Sequence, residues 1–353
     1  MYHSNDWEQT KTLMTAWWKH EASTPLVQVV APKQGCESTC IFDWWALMRP
    51  GAKPEAVLQE YLHFCESTWF GGVAFPNMFF NMGPGVLAAY SSGYLSFEPV
   101  SCTTWFENPQ PWEVVEKYRF QENEWWQFTT DYMAMFAKAG KDRFIMGMTD
   151  LGGPLDVLSS FRGAQELALD LLLNPERVHH ARKQILEDWH HAYDRLLTII
   201  TRYQEGTSAW MGIWCPGTWY PLQCDFAAMI SPQQFEEFVL PDVIAQAQRL
   251  DHTLYHLDGP GQIAHLDMLL EVEALDGIQW VPGAGNPQCE SPRWRPLYEK
   301  ILAKNKLLVL QCFDDINELP VALEGLPRAG IFITTSAPTE DEGHALLEKL
   351  ITI

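Results

Sequence analysis

Positive charge is scarce in this chain. Lysine and arginine together number 24 against 45 aspartates and glutamates in 353 residues, a formal net charge of −21 and a pI near 4.8. Nucleic-acid binding draws on lysine and arginine to neutralise phosphates, and anionic bilayers attract the same residues. Both classes of partner are therefore argued against, and the acidity reads as charge that keeps a protein soluble. Long apolar runs are missing too. No stretch approaches the ~20 residues that span a bilayer. The residues from Met1 to Trp7 show neither the basic start nor the apolar centre of a signal peptide, so the expectation is a soluble, cytoplasmic protein. Cys-x-x-Cys is absent. The eight cysteines at 36, 40, 65, 102, 215, 224, 289 and 312 are scattered and read as reduced thiols rather than a disulfide framework. Neither a Gly-x-x-x-x-Gly-Lys-Ser/Thr loop nor Gly-x-Gly-x-x-Gly occurs, which argues against nucleotide binding. His-Glu-x-x-His and Gly-x-Ser-x-Gly are missing as well. No repeat, low-complexity tract or interdomain linker stands out.

What is abundant is tryptophan, with 16 copies, several in pairs such as Trp17-Trp18, Trp44-Trp45 and Trp125-Trp126. Most of these rings are expected in a core, because each buries a large area and needs only one polar partner. A few can line a ligand pocket.

Strand and helix patterns alternate along most of the chain. Residues 6–19 read as a helix capped by Asp6, residues 25–31 as a strand and residues 53–66 as a helix, together an N-terminal extension over residues 1–65. From residue 66 onward the alternation suggests parallel α/β architecture. Residues 71–80, 143–148, 209–214, 253–257, 277–281, 307–311 and 330–334 read as strands. Helices are expected over residues 165–173, from Pro175 to about Tyr203 with Asn174 as cap, from Ser231-Pro232 with cap and N1 proline in place, and over residues 293–304. The fold class this implies is α/β, a (β/α)8 TIM barrel over residues 66–353, with the N-terminal helix/strand extension packed on it. Functional residues of such barrels sit at strand C-terminal ends.

The most informative segment is Leu254-Tyr255-His256-Leu257-Asp258-Gly259-Pro260-Gly261. Residues two apart on a strand point to one side, so His256 and Asp258 bring a nitrogen and a carboxylate to one place before a tight turn. They suit two ligands of a divalent metal, an acid/base pair, or hydrogen bonding to a polar substrate. Asp225 and Asp150 are further candidate catalytic carboxylates. Each also reads as a loop group, Asp225 before a helix and Asp150 capping the turn at Gly152-Gly153-Pro154. Trp214, Trp219, Tyr220, Gln279 and Trp280, with Asn77 and Asn81, are candidate substrate-binding residues. Cys215 is placed like a ligand or nucleophile, although a buried inert thiol is the commoner case.

Met229-Ile230-Ser231-Pro232-Gln233-Gln234-Phe235-Glu236-Glu237-Phe238-Val239-Leu240-Pro241, Tyr255-His256-Leu257-Asp258-Gly259-Pro260-Gly261 and Leu275-Asp276-Gly277-Ile278-Gln279-Trp280 carry a resemblance to the uroporphyrinogen decarboxylase-like superfamily of (β/α)8 barrels. That group spans uroporphyrinogen decarboxylases, corrinoid methyltransferases and, more distantly, cobalamin-independent methionine synthases. The closer similarity is to a branch carrying His-Leu-Asp-Gly-Pro-Gly and Gln-Trp-Val-Pro-Gly-Ala-Gly. The resemblance covers roughly residues 70–353. It implies methyl transfer from a small methylated substrate, a corrinoid on a partner protein, a zinc ion and a homodimer. Zinc methyltransferases of the group use His-x-Cys on the strand matching residues 255–259, plus a Cys after the last strand. Here His256 keeps the histidine, Asp258 replaces the cysteine, and residues 334–338 contain no Cys. A His–Asp set can hold zinc, with harder ligands than a thiolate site. The arginine-rich propionate-binding loop of true uroporphyrinogen decarboxylases is not found, so that activity is not expected.

Three functions stay open at this level. One is methyl transfer. Another is acid/base lysis or hydrolysis of a polar or sugar-like molecule by His256, Asp258 and Asp225 against an indole wall. The third is a non-catalytic barrel that binds a small molecule or a corrinoid partner.

Overall fold

The computed structural model describes residues 7–36 and 41–352. Asp6 and Cys40 lie outside them. Among the described residues eleven strands form: β1 (Leu26–Pro32), β2 (Thr68–Gly72), β3 (Asn77–Phe79), β4 (Ser96–Glu98), β5 (Thr103–Trp105), β6 (Ile145–Gly147), β7 (Trp219–Gln223), β8 (His252–Asp258), β9 (Gly277–Val281), β10 (Leu307–Gln311) and β11 (Ile331–Ser336). The helices expected from the sequence form, and others not expected, such as Glu124–Gly140, join them. Of the expected ones, Pro175–Ile200 buries Val178, Ala181, Ile185, Trp189, Ala192, Leu196 and Ile200, a three-to-four-residue repeat that forms one apolar stripe.

The main sheet runs β2-β1-β11-β10-β9-β8-β7. Neighbours from β1 to β7 pair in parallel, and β2 runs antiparallel to β1. Strands β3 and β6 form a separate parallel pair, and β4 and β5 an antiparallel hairpin. The fold is thus α/β with a predominantly parallel sheet, and its hydrogen-bonded ladder is open. Val73 N–H donates to Val27 O at 2.9 Å, which extends the β1–β2 pairing, and Met148 N–H, just past β6, donates to Ser208 O at 2.7 Å on the side of β7. The side-chain amides of Asn77 and Gln28 donate to Ala209 O at 3.0 Å and Gly212 O at 2.8 Å.

Three expectations need correction here. Strand β1 lies between β2 and β11, so residues 26–32 belong to the sheet rather than to an appendage packed outside it. Residues 209–214 are a loop, held by the bridge between Thr207 and Cys215 and turned at Gly212 with φ +67°. The strand of that unit is β7, further along the chain. Asn174 precedes its helix but does not cap it: its amide donates to Asp170 Oδ1 at 2.7 Å. Ser231 does cap, in a reciprocal box with Gln234.

The buried apolar residues separate into two clusters. The larger lies between the sheet and its helices. The smaller gathers the amino-terminal halves of the parallel strands, through Leu26, Trp219, Leu254, Leu307 and Phe332, onto Met14, Trp17 and Trp18 of the helix Trp7–Trp18. That helix plugs one end of the sheet, which leaves the opposite, carboxyl-terminal end for polar groups. Among the described residues, no helix is long and apolar enough to cross a membrane.

Candidate functional site

Strand β8 delivers His256 and Asp258 to the carboxyl-terminal end on one face, as its alternation requires. Gly259 then turns at φ +80°, a conformation that suits glycine. A Cβ on Gly261 would lie 3.2 Å from Ala228 O, so glycine there allows the turn after β8 to press against the segment Asp225–Met229. His265 secures the same contact: its Nε2 donates to Ala227 O at 2.9 Å, and its ring stacks on Phe235 at 4.4 Å. Asp225 is thereby held opposite β8. Ligand-type atoms of Asp225, His256 and Asp258 all lie within 4.8 Å of one another. The two β8 residues are half-buried and Asp225 is exposed at the mouth.

The imidazole is oriented from behind. His256 Nδ1 lies 2.6 Å from Gln279 Oε1, and Gln279 Nε2 donates to Gln311 Oε1 at 2.7 Å. With the Gln279 amide fixed by Gln311, its carbonyl accepts the Nδ1 proton, and His256 Nε2 keeps its lone pair for the cleft. The Trp210 ring meets His256 edge-on at 5.0 Å, and its indole N–H is buried without a hydrogen-bond partner.

Behind Asp225 lie two more carboxyls. Asp150 accepts from Gly152 N–H at 2.9 Å, from Gln223 Nε2 at 3.2 Å and from Tyr220 O–H at 3.3 Å. Burial pushes its pKa up to about 6; the Gly152 N–H and the nearby His256 oppose the rise, and the Asp225 charge adds to it. Asp156 accepts from Phe226 N–H at 2.8 Å. Burial, then the charge of Asp225, raise it to about 7. The pKa of Asp225 is also raised. The surrounding protein contributes most, Asp258 adds to it and His256 opposes it. Beside the triad is a cavity of about 530 Å³ lined by Gln223 and Asp225 together with residues of the β4–β5 hairpin. A slightly larger cavity, about 620 Å³, opens between β2 and the carboxyl-terminal helix and includes none of the three converging residues.

The fold is similar to that of a methyltransferase. The methyltransferase from Methanosarcina mazei superposes with a TM-score of 0.63 and 13% identity, over 97% of this chain and 98% of that one. At that identity the likeness shows the fold alone. Comparison with protein-family models and with curated proteins finds no match.

Of the residues singled out in the sequence, the structure brings His256, Asp258, Asp225, Asp150 and Gln279 together. The aromatic wall does not form. Trp219 is buried against Trp18 at the amino-terminal end of β7, with ring centroids 5.4 Å apart. Trp214 sits in the same plug, its indole donating to Glu205 O at 2.9 Å. Trp280, next to Gln279, points to the opposite face of β9 and packs on Trp294 at 4.8 Å. Tyr220 faces Trp189 and Tyr193, and its hydroxyl accepts from Leu151 N–H at 2.6 Å. It positions Asp150 rather than substrate. Asn81 shapes a turn by accepting from Gly83 N–H at 3.0 Å, and Asn77 bridges to Ala209. Cys215 is buried, and burial pushes its thiol up to about 12. A thiol in that state is a poor nucleophile. Iodoacetamide should leave Cys215 untouched in the native protein and label it only after denaturation, which peptide mapping would read.

Sequence reading missed Gln311, His265, Trp210 and Asp156. Gln311 had a visible signal, an amide ending an otherwise apolar strand. Asp156, in the first turn of the helix Pro154–Arg162, looks like an ordinary helix-start carboxylate.

Proposed function

We propose that this chain is an enzyme of the methyl-transfer class that holds a divalent cation on His256, Asp258 and Asp225 and works on a small polar molecule. We also propose that its α/β fold is an open (β/α)8 barrel of the uroporphyrinogen decarboxylase-like superfamily, with β1, β3, β6 and β7–β11 as the eight parallel strands. The observation that carries the site is the convergence of the three side chains, with the imidazole held at Nδ1 by Gln279, which leaves Nε2 as the nitrogen free to bind an ion. A second hydrogen bond of this kind accompanies most metal-binding histidines. The fold likeness to a methyltransferase supports the reaction class. In this reading the acceptor is a corrinoid on a partner protein.

The donor set departs from the zinc site that the resemblance implies. It offers one nitrogen and two carboxylates and no thiolate, which suits zinc bound through nitrogen and oxygen or a harder divalent ion. When bound, such an ion supplies Lewis acidity toward a substrate oxygen or nitrogen. The residues of the chain do the rest. Gln279 and Gln311 fix the imidazole, and Asp225 closes the site from the opposite loop. Asp150, protonated below about pH 6, and Asp156 hold protons next to Asp225. Those two raised carboxyls also suit acid/base lysis, but without the expected indole wall a sugar-like substrate loses its stacking surface.

Isothermal titration with Mn²⁺ and Zn²⁺ on chelator-treated protein should show about one ion per chain. Run at two pH values, the titration should show the tighter binding at the higher one. Asp225, whose pKa is raised, must release its proton to bind, so protons compete with the ion at the lower pH. Absence of binding at both pH values would refute the cation site.

A further inference from the structure

The cavity of about 530 Å³ shares Asp225 with the cation site and is lined by Trp45, Trp105, Phe106 and Phe226, with Asp156 and Glu107. Its volume falls within the ~300–1,000 Å³ of small-molecule pockets. Its lining is unusual in sign: three carboxylates and four aromatic rings, and no lysine, arginine or histidine among the described residues. An anionic guest would be repelled by the three carboxylates there. An organic cation would meet carboxylates and aromatic faces, both of which attract positive charge.

Two buried polar atoms sharpen the guest further. Thr104, 7% exposed, lines the cavity, and its hydroxyl oxygen has no hydrogen-bond partner. Asp156 Oδ2 is likewise buried without one. Buried acceptors left unpaired are costly, and their usual explanation is a partner absent from the protein itself. Both atoms accept from an N–H. A neutral hydrocarbon or a fully substituted ammonium offers none.

We propose that this cavity binds a protonated amine, its N–H directed to Asp156 and Thr104 and its carbon groups against Trp45 and Trp105, and that such an amine is the substrate presented to the cation site. The claim that the amine is a substrate rests on the function proposed above; the claim that it binds does not. Trp105 is 52% exposed on the β4–β5 hairpin and Met229 60% exposed opposite, which places apolar surface at the mouth where the carbon skeleton would enter.

The test uses the full chain and piperidinium as probe, compared with tetrahydropyran, its neutral counterpart of similar shape, and with N,N-dimethylpiperidinium, which keeps the charge and lacks the N–H. Ligand-observed NMR titrations at pH 7.5 should rank piperidinium tightest, with each comparator at least about tenfold weaker, the size expected from losing one charge-assisted hydrogen bond. Asp156→Asn and Thr104→Val should each weaken piperidinium by a larger factor than tetrahydropyran, whose ether oxygen can accept only from the Thr104 hydroxyl. Trp105→Leu, at an exposed position, provides a third readout should Asp156→Asn fail to fold. Equal affinity for piperidinium and tetrahydropyran would overturn the proposal, as would piperidinium binding indifferent to Thr104→Val and Trp105→Leu. Mn²⁺ titration of the same samples separates the two readings. Retained ion binding with no amine selectivity refutes the amine pocket alone. Selective amine binding with no ion binding refutes the cation site alone.

Discussion

His256→Ala should abolish stoichiometric divalent-cation binding, lowering affinity by at least about 100-fold, while circular dichroism and Tm change little. The side chain is half-buried at the mouth and its ring contributes no core packing beyond the edge of Trp210. The loss should therefore appear in binding rather than in folding. Gln279→Met distinguishes orientation from ligation. Gln279 is fully buried and touches no ligand position itself; it holds Nδ1 of His256. Removing such a partner typically lowers metal affinity about 10–100-fold. Gln311→Met, one step further back, should cost less. Nitrogen-15 shifts of the His256 ring provide a readout that a merely structural role would not move. The wild type should show the Nδ1–H tautomer with Nε2 unprotonated, and Gln279→Met should show a mixture. Unaltered Mn²⁺ affinity in His256→Ala would remove the cation site. An unaltered tautomer in Gln279→Met would remove the relay.

The part of this site that a sequence displays is the part set by strand periodicity. His256 and Asp258 share a face because they are two apart on β8, and Gly259 and Gly261 mark the turn that follows. Gln279 was legible as a polar residue on the strand that follows, but its register with His256 on β9, which makes it a partner of the imidazole rather than of substrate, was not. The indoles were not. Strand β7 is buried along its whole length, so no alternation of polar and apolar residues reveals which face of Trp219 looks where. Trp280 sits one residue past Gln279, and period two sends it to the far side. Trp214 was assigned to a strand that is a loop, because the apolar run over residues 209–214 reads the same whether it pairs with a neighbour or fills a plug. That it fills a plug depends on Trp18, nearly two hundred residues away, whose indole donates to Trp214 O at 3.0 Å. Open closure of the sheet is equally hidden. Asn77 and Gln28 replace ladder hydrogen bonds with side-chain amides, and nothing in a local pattern distinguishes a bridging amide from a substrate-binding one.

The largest stability effect is expected away from the site, at Arg182→Met. Arg182 on the helix Pro175–Ile200 and Asp242 on the helix Leu240–Ala247 form an ion pair, with side chains 6% and 3% exposed. Asp242 Oδ2 has no hydrogen-bond partner, so the guanidinium is the main compensation for burying this charge. Removing one member of a buried pair typically costs about 3–5 kcal/mol, because the other charge stays buried. At this chain length that corresponds to a Tm lower by several degrees. The pH dependence identifies the cause. Burial already outweighs the attraction of Arg182 and raises Asp242 to about 7, above the ~3.9 of an unfolded aspartate. A carboxyl raised in the folded state favours folding at low pH, and that contribution is lost as pH rises through the folded pKa. Without Arg182 the folded pKa rises further, so the variant goes on losing stability above pH 7, where the wild type has finished titrating. The gap in urea midpoint between the two proteins should therefore widen from pH 5.5 to 8.5. Arg182→Met combined with Asp242→Leu should recover much of the loss, since a buried apolar pair can match or exceed a buried ion pair. A gap independent of pH would mean that lost packing of the long arginine stem, rather than the uncompensated carboxylate, accounts for the destabilisation.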